Sequence, residues 1–286
     1  MTGAGRVAAV TGASGYLGGR FCDALAADGF AIRRLVRRPD LEAGDRGFDL
    51  ATGLSSEGLD GVDLLVHCAY DFTARSRSAI WRSNVAGSRA LLDAAQAAGV
   101  RRTVVVSSMS AYAGTRQLYG RAKLATELDA LARSMTVVRP GLVYGPAWGG
   151  TAGALRKLAS LPVVPLVGAS THQFTVHEDD LCAAIVALAN AASPPAVPLG
   201  LANPTPVNFR DLLDGLALGA TGHHARFVPI PWKGLSVAMR AAELARVPLP
   251  LRADSLLGLM RPAPAVEHVE LVEAMGVAFR PFDPTS

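Results

Sequence analysis

Apolar and polar positions change in blocks from the start of the chain. Residues 7–10 form a short apolar run, residues 16–28 carry apolar positions at helical spacing, and residues 31–36 return to a short apolar run. Strand, helix, strand is the expected order. Further strands are expected at 63–67, 103–107 and 136–139, separated by alanine-rich amphipathic stretches at 80–98 and 121–133. Strands that take turns with helices predict an α/β fold with a doubly wound parallel sheet and helices on both faces. After Pro140, proline and glycine become frequent and the alternation loosens. We therefore expect residues 1–140 to form the sheet domain and residues 141–286 a smaller mixed α/β lobe, some of whose segments return to the sheet. In that second part helices are expected at 179–192, at 209–218 behind an Asn208 cap, at 235–246 and at 265–275, with short strands at 163–167 and 226–230.

Composition removes several function classes. Half of the 286 residues are hydrophobic and 18% are charged, enough apolar surface to offset the entropy of ordering. The net charge is +4, and the basic residues are scattered except for Arg33, Arg34, Arg37 and Arg38, so no nucleic-acid surface is expected. Cys22, Cys68 and Cys182 are widely spaced with no CxxC pair, which predicts neither a disulfide framework nor a metal site and suits a reducing cytoplasm. Neither a secretion signal nor a membrane span is read, because the apolar runs are interrupted by Pro, Gly or charge before reaching about 18 residues.

The segment Thr11-Gly12-Ala13-Ser14-Gly15-Tyr16-Leu17-Gly18 follows the first expected strand and opens the first helix. Gly12 and Gly15 would let the backbone approach a pyrophosphate, whose charge is favoured by free N–H groups at a helix N-terminus, while Gly18 permits close helix packing. Residues 1–140 are thus expected to be a dinucleotide-binding Rossmann domain. The second strand ends Leu35-Val36-Arg37-Arg38-Pro39, with no carboxylate before Asp40. An acid there would bind ribose hydroxyls, whereas an arginine pairs with a 2′-phosphate, so NADP(H) is expected over NAD(H), with Arg37 as its partner.

Tyr119-Gly120-Arg121-Ala122-Lys123 places a phenol and an ammonium on one helix face. A free tyrosine has a pKa of about 10, and a fixed positive charge beside it stabilises the phenolate. Lys123 is the expected source of that charge. Ser108, at the end of the strand at 103–107, could donate a hydrogen bond to a carbonyl or alcohol oxygen while Tyr119 exchanges the proton. The neighbouring Ser107 and Ser110 leave the register of the catalytic serine open.

Together these motifs resemble the extended short-chain dehydrogenases/reductases, the branch that includes nucleotide-sugar epimerases and dihydroflavonol reductases. The resemblance runs through most of the chain. It implies that Gly12, Gly15, Tyr16, Leu17 and Gly18 hold the pyrophosphate, that Asp49-Leu50 lies beside the adenine, and that Val66-His67-Cys68-Ala69 lies beside the cofactor at Ala69. It also likens Asn84-Val85-Ala86-Gly87 to a helix motif, and Arg139-Pro140-Gly141-Leu142-Val143-Tyr144-Gly145-Pro146 to the segment that passes the nicotinamide at Pro140 and Val143. By the same pattern Ser108, Tyr119 and Lys123 are catalytic, with Tyr119 and Lys123 also touching cofactor. His177-Glu178-Asp179-Asp180-Leu181 resembles a family turn that starts a helix, and for His177 a capping role is expected. The helices at 80–98 and 121–133 resemble those that pair in the family's homodimer.

Three reactions fit such a site: reduction of a carbonyl with NADPH, epimerisation of a nucleotide sugar, and cofactor binding by a non-catalytic regulator. Family members that dehydrate nucleotide sugars usually carry a carboxylate two places after the catalytic serine, where this chain has Ser110. Epimerases that retain NAD usually show an acidic end to the second strand, where this chain has Arg37. Reduction is the leading expectation, and a regulator would be the natural reading had Tyr119 or Lys123 been missing. The resemblance also implies that Tyr70, Phe72, Met109, Tyr112, Trp148 and Phe174 lie near the nicotinamide and line a partly apolar substrate pocket.

Overall fold

Strand β1 (Val7–Thr11) is buried along four of its five residues, as a strand covered on both faces must be. In this computed structural model, which describes residues 5–55, 57–245, 247 and 253–285, β1 lies near the middle of the main sheet. It pairs in parallel with β2 (Ala31–Val36) on one side and, farther along the chain, β5 (Leu64–His67) on the other. β3 (Arg46–Asp49) and β4 (Gly53–Leu54) extend the sheet beyond β2, and β6 (Arg102–Val106) and β7 (Thr136–Pro140) extend it beyond β5. The order β7-β6-β5-β1-β2-β3-β4 therefore reverses between β1 and β5, the switch point at which open α/β sheets leave a crevice beyond their C-terminal strand ends.

Alternation along β1 divides the core. Ala8 and Val10 join Phe21, Val66 and Ile185 in one layer, whereas Ala9 joins Leu35, Leu65 and Leu91 in the other. The first layer is supplied by α1 (Tyr16–Ala27), the second by the chain after β5. There the expected continuous helix at 80–98 is split into α2 (Arg77–Ile80), one wide π turn at Trp81–Ala86, and α3 (Gly87–Ala97). The wide turn coincides with two tertiary demands. Asn84 accepts from the Asp71 N–H at 2.6 Å and donates to the Asp71 carbonyl at 3.2 Å, and a Cβ on Gly87 would stand 2.0 Å from the Leu50 carbonyl oxygen. α4 (Leu118–Leu131) packs beside α3 and begins earlier than the expected residue 121.

After β7 the chain builds a second hydrophobic cluster. β8 (Leu142–Tyr144), α5 (Gly150–Ala159), β9 (Val164–Leu166), β10 (His172–Gln173) and β11 (Thr175–His177) lead into α6 (Glu178–Asn190), which packs back against α1. β12 (Leu199–Leu201) then pairs with β7 and completes the eight-stranded sheet. β13 (Val207–Asn208) precedes α7 (Phe209–Thr221), whose N–H at Arg210 is capped by Asn208 at 2.9 Å. β14 (Phe227–Pro229), α8 (Trp232–Leu244) and α9 (Ala253–Met260) close the cluster around Leu155, Phe209, Leu213 and Leu256. The helix expected at 235–246 is α8, and residue 246 lies outside the described residues. The helix expected at 265–275 is only α10 (Val269–Glu273), because His268 adopts φ +58° and a left-handed residue cannot continue an α-helix. Among the described residues no helix is long and apolar enough to cross a membrane, and no cluster suited to a metal ion occurs.

Candidate functional site

A cleft of about 810 Å³ opens at the switch point, and its first wall is the turn between β1 and α1. Gly12, at φ +68°, reverses the chain so that its carbonyl accepts from the Gly15 N–H at 2.8 Å. Gly18 comes so close to this turn that a Cβ would stand 2.1 Å from the Gly12 oxygen. The α1 N-terminus is thereby brought against the cleft, with the surface left bare for an anion. Thr11 and His67 lock the floor. The Thr11 hydroxyl accepts from the N–H groups of Cys68 and Ala69, both at 3.1 Å, so its own proton goes to His67 Nδ1 at 2.8 Å. The opposite ring nitrogen, Nε2–H, then donates to Ser88 at 2.8 Å. Burial lowers the His67 pKa to about 3, so the ring stays neutral and clamps β1 to β5.

The wall at the ends of β2 and β3 is made by Leu35, Val36, Arg37, Phe48, Asp49 and Leu50. Of the four clustered arginines, Arg33 donates to the Gly58 and Asp60 carbonyls and Arg34 lies 4.0 Å from Asp45, whereas Arg37 is exposed, lines the cleft and makes no ion pair among the described residues. Arg38 does not line the cleft. These features fit a dinucleotide: a glycine cradle that a Cβ would fill, a cleft that runs from that cradle past the ends of β2 and β3, and a cation in its wall.

At the other end, Ser108, Tyr119 and Lys123 meet. Gly120 makes this possible, since a Cβ there would stand 2.2 Å from the Ser110 carbonyl oxygen, and its absence lets α4 lie directly against the segment after β6. The Ser108 hydroxyl stands close enough to the Tyr119 phenol to favour its ionised form, and it accepts from the Ser110 N–H at 3.1 Å. Lys123 Nζ donates to the Val106 carbonyl at 2.8 Å and stands 5.9 Å from the centre of the Tyr119 ring. Burial dominates both groups, pushing Tyr119 up to about 12 and Lys123 down to about 8. Lys123 is expected to lower the phenol pKa; here desolvation outweighs any such effect, while the neighbouring Ser108 hydroxyl acts in the lowering direction. Tyr119 is thus held as a neutral proton donor.

Ser107, Ser108 and Ser110 all line the cleft, and the first two differ in what their hydroxyls touch. Ser107 donates to Glu127 at 2.5 Å, and Glu127 is paired with Arg139 at 2.6 Å, which reaches Glu267 at 2.6 Å. Glu127 is 2% exposed, and removing one partner from such a buried pair costs roughly 3–5 kcal/mol. Ser107 therefore belongs to a structural network that ties β6 to α4 and β7.

Gly12, Gly15, Tyr16, Leu17, Gly18, Arg37, Asp49, Leu50, Ala69, Ser108, Tyr119, Lys123, Pro140 and Val143 all line the one cleft. So do Tyr70, Phe72, Met109 and Phe174, with Tyr70 4.9 Å and Phe72 6.0 Å from the Tyr119 ring. Tyr112 and Trp148 do not: Tyr112 donates to the Arg261 carbonyl at 3.0 Å, and Trp148 packs on the second cluster beneath Arg156. His177 caps α6, its Nδ1 accepting from the Asp179 N–H at 3.2 Å.

Several contributors carried no recognised sequence signal. The Tyr16 hydroxyl donates to the buried Glu178 carboxylate, and a Cβ on Gly149 would stand 2.2 Å from the Tyr16 ring, so the loop before α5 lies flat on the cofactor turn. Gln117, Asp254, Ser255, Gly258 and Leu259 also line the cleft.

Comparison with known proteins matches residues 8–200 to the model of the NAD dependent epimerase/dehydratase family. A ceramide reductase of Caulobacter vibrioides is 32% identical over 247 residues, covering 83% of this chain and 77% of that protein. A 4-hydroxy-2-methyl-3-oxo-4-farnesyl-3,4-dihydroquinoline-1-oxide ketoreductase of Stigmatella aurantiaca is 36% identical over 118 residues, 38% of this chain and 35% of that one. Among solved structures, MoeE5 in complex with UDP-glucuronic acid and NAD superposes with a TM-score of 0.72 at 21% identity, covering 96% of this chain and 94% of the other, a likeness of fold.

Proposed function

The chain belongs to the NAD dependent epimerase/dehydratase family, and we propose that within it the protein is an NADP(H)-dependent reductase of a ketone carried on a long apolar molecule. The observation that carries this reading is the half-buried Tyr119 phenol, held protonated beside Ser108 at the apolar end of the cleft. When bound, the nicotinamide would supply a hydride to the carbonyl carbon. As the C=O pair moves onto oxygen, Tyr119 gives its hydroxyl proton to that oxygen, Ser108 donates a hydrogen bond to it, and Lys123 stands ready to balance the phenolate charge until solvent returns the proton. Gly12, Gly15, Tyr16, Leu17 and Gly18 would hold the pyrophosphate, Asp49 and Leu50 the adenine side, and Ala69, Pro140 and Val143 the nicotinamide side.

The substrate class follows from the lining. Tyr70, Phe72, Met109, Leu142, Phe174 and Leu259 offer contact to hydrocarbon. The ceramide reductase and the farnesylated quinoline ketoreductase are named for substrates with long apolar parts, which supports the same choice. The test is net oxidation of NADPH by a panel of long-chain ketones, with UDP-sugars in parallel. Activity on the ketones supports the reading, and isomerisation of a UDP-sugar without net oxidation would replace it with an epimerase.

Arg37 makes the cofactor choice testable. A lost charge-assisted contact to a 2′-phosphate predicts that Arg37→Ala weakens NADPH binding about ten- to a hundredfold and leaves NADH binding nearly unchanged. Dissociation constants measured by fluorescence check this. Equal losses for both cofactors, or none, would remove the NADP(H) assignment.

A further inference from the structure

The helix that carries Tyr119 and Lys123 begins without a cap of its own. Gln117 occupies the N-cap position of α4, and its side chain makes no capping hydrogen bond. The N–H groups of Leu118 and Tyr119 go instead to the two oxygens of one carboxylate, Asp254, at 2.9 Å and 3.1 Å. Asp254 lies 135 residues beyond Tyr119, on α9. A carboxylate at this end of a helix is favoured by the helix dipole as well as by the free donors.

The same helix touches the start of α4 at a second point. Gly258 lies against the Gln117 amide, where a Cβ would stand 2.6 Å from Oε1 and 2.8 Å from Cδ. The far end of α9 is fixed to the second cluster, because Gln173 donates to the Leu259 carbonyl at 2.9 Å. α9 is therefore anchored on β10 and grips α4, and between those points its Ser255, Gly258 and Leu259 line the cleft. One of the gripped N–H groups is that of Tyr119 itself, so the hold acts on the residue that bears the phenol. Small displacements of a reacting group are costly, about 10²-fold for 1 Å.

We propose that Asp254 is a positioning residue: by gripping the main chain of Leu118 and Tyr119 from the second cluster, it sets the phenol against Ser108 and links its placement to the wall that receives substrate. The link to catalysis rests on the reductase reading of this site, but the placement of the phenol can be read without turnover. Full-length protein labelled with 3-fluorotyrosine gives a ¹⁹F signal for Tyr119, assigned with Tyr119→Phe. In Asp254→Ala that signal should shift and broaden, kcat should fall about tenfold or more, and KM and NADPH affinity should stay within about twofold. Asp254→Asn keeps one acceptor oxygen and should recover most of the rate and the sharper signal. An unchanged Tyr119 signal or an unchanged kcat in Asp254→Ala would overturn the proposal. So would a loss shared by every tyrosine signal and by NADPH affinity, which marks general unfolding. If the unaltered protein reduces no ketone, the reductase reading fails, and the ¹⁹F comparison still decides whether Asp254 places Tyr119.

Discussion

Tyr119→Phe is expected to slow single-turnover oxidation of NADPH by roughly 10²-fold or more while NADPH binding stays within about twofold. The ring would keep its packing on Tyr70 and Phe72, and the change deletes only the hydroxyl that faces Ser108. Burial holds that hydroxyl protonated, with a pKa pushed up to about 12, so in the unaltered protein the proton is in place across the neutral range. The two serines should separate in the same assay. Ser108→Ala removes a hydrogen bond to the developing oxyanion and should cost mainly rate, by about 10²-fold. Ser107→Ala leaves Glu127 one donor short inside the Arg139 network and should cost mainly stability, about 1–3 kcal/mol, with a milder loss of rate. Rapid mixing with absorbance detection reads the rates, and thermal unfolding reads the stability. Near-normal turnover in Tyr119→Phe would contradict the assigned proton path.

Gly18→Ala is expected to have the largest effect on the cofactor side. The added methyl would have to sit 2.1 Å from the Gly12 oxygen and 2.9 Å from the Ala13 Cα, both backbone atoms that cannot turn aside as a side chain would. α1 must then move away from the turn, and with it the N–H groups aimed at the pyrophosphate. Overpacking of this kind costs typically about 1–3 kcal/mol, so for a chain of this length a fall in Tm of about 2–5 °C is expected. NADPH affinity should fall about a hundredfold, because displacement of about an ångström separates several hydrogen-bond donors from one anion. Calorimetric titration with NADPH, beside thermal unfolding, checks both. A Gly19→Ala control should do much less, since a Cβ there would meet its nearest neighbour, the Ala13 oxygen, at 3.7 Å.

What could be read from the sequence was what is local. The glycines of residues 12–18 follow a strand and open a helix within a single stretch, and the four-residue separation of Tyr119 and Lys123 places both on one helix face. The first strand, with its unbroken apolar run at 7–10, is equally legible. What could not be read depends on partners far along the chain. The N–H groups at the start of α4 are taken by Asp254, and no residue near Gln117 announces that distant partner. The stretch at 80–98 has the periodicity of one helix, yet Asn84 and Gly87 answer to Asp71 and Leu50 and the helix widens between them. Ser107 and Ser108 are indistinguishable as letters and differ only in facing Glu127 or Tyr119. The short strands β8 and β11 pair with each other across intervening helix and loop, so neither has a pattern of its own. The family resemblance puts Tyr112 and Trp148 in the pocket, and tertiary packing turns them away.

The central claim, net hydride transfer to a ketone, is tested most directly by following the hydrogen itself. NADPH carrying deuterium at the transferring position of C4 is incubated with the protein and an accepted long-chain ketone, and the products are analysed by mass spectrometry and NMR. The account predicts one deuterium on the carbinol carbon for each NADPH oxidised, with the hydroxyl proton drawn from solvent by way of Tyr119. An epimerised nucleotide sugar without net NADPH oxidation, or NADPH bound by the protein with no deuterium delivered to any ketone, would contradict it.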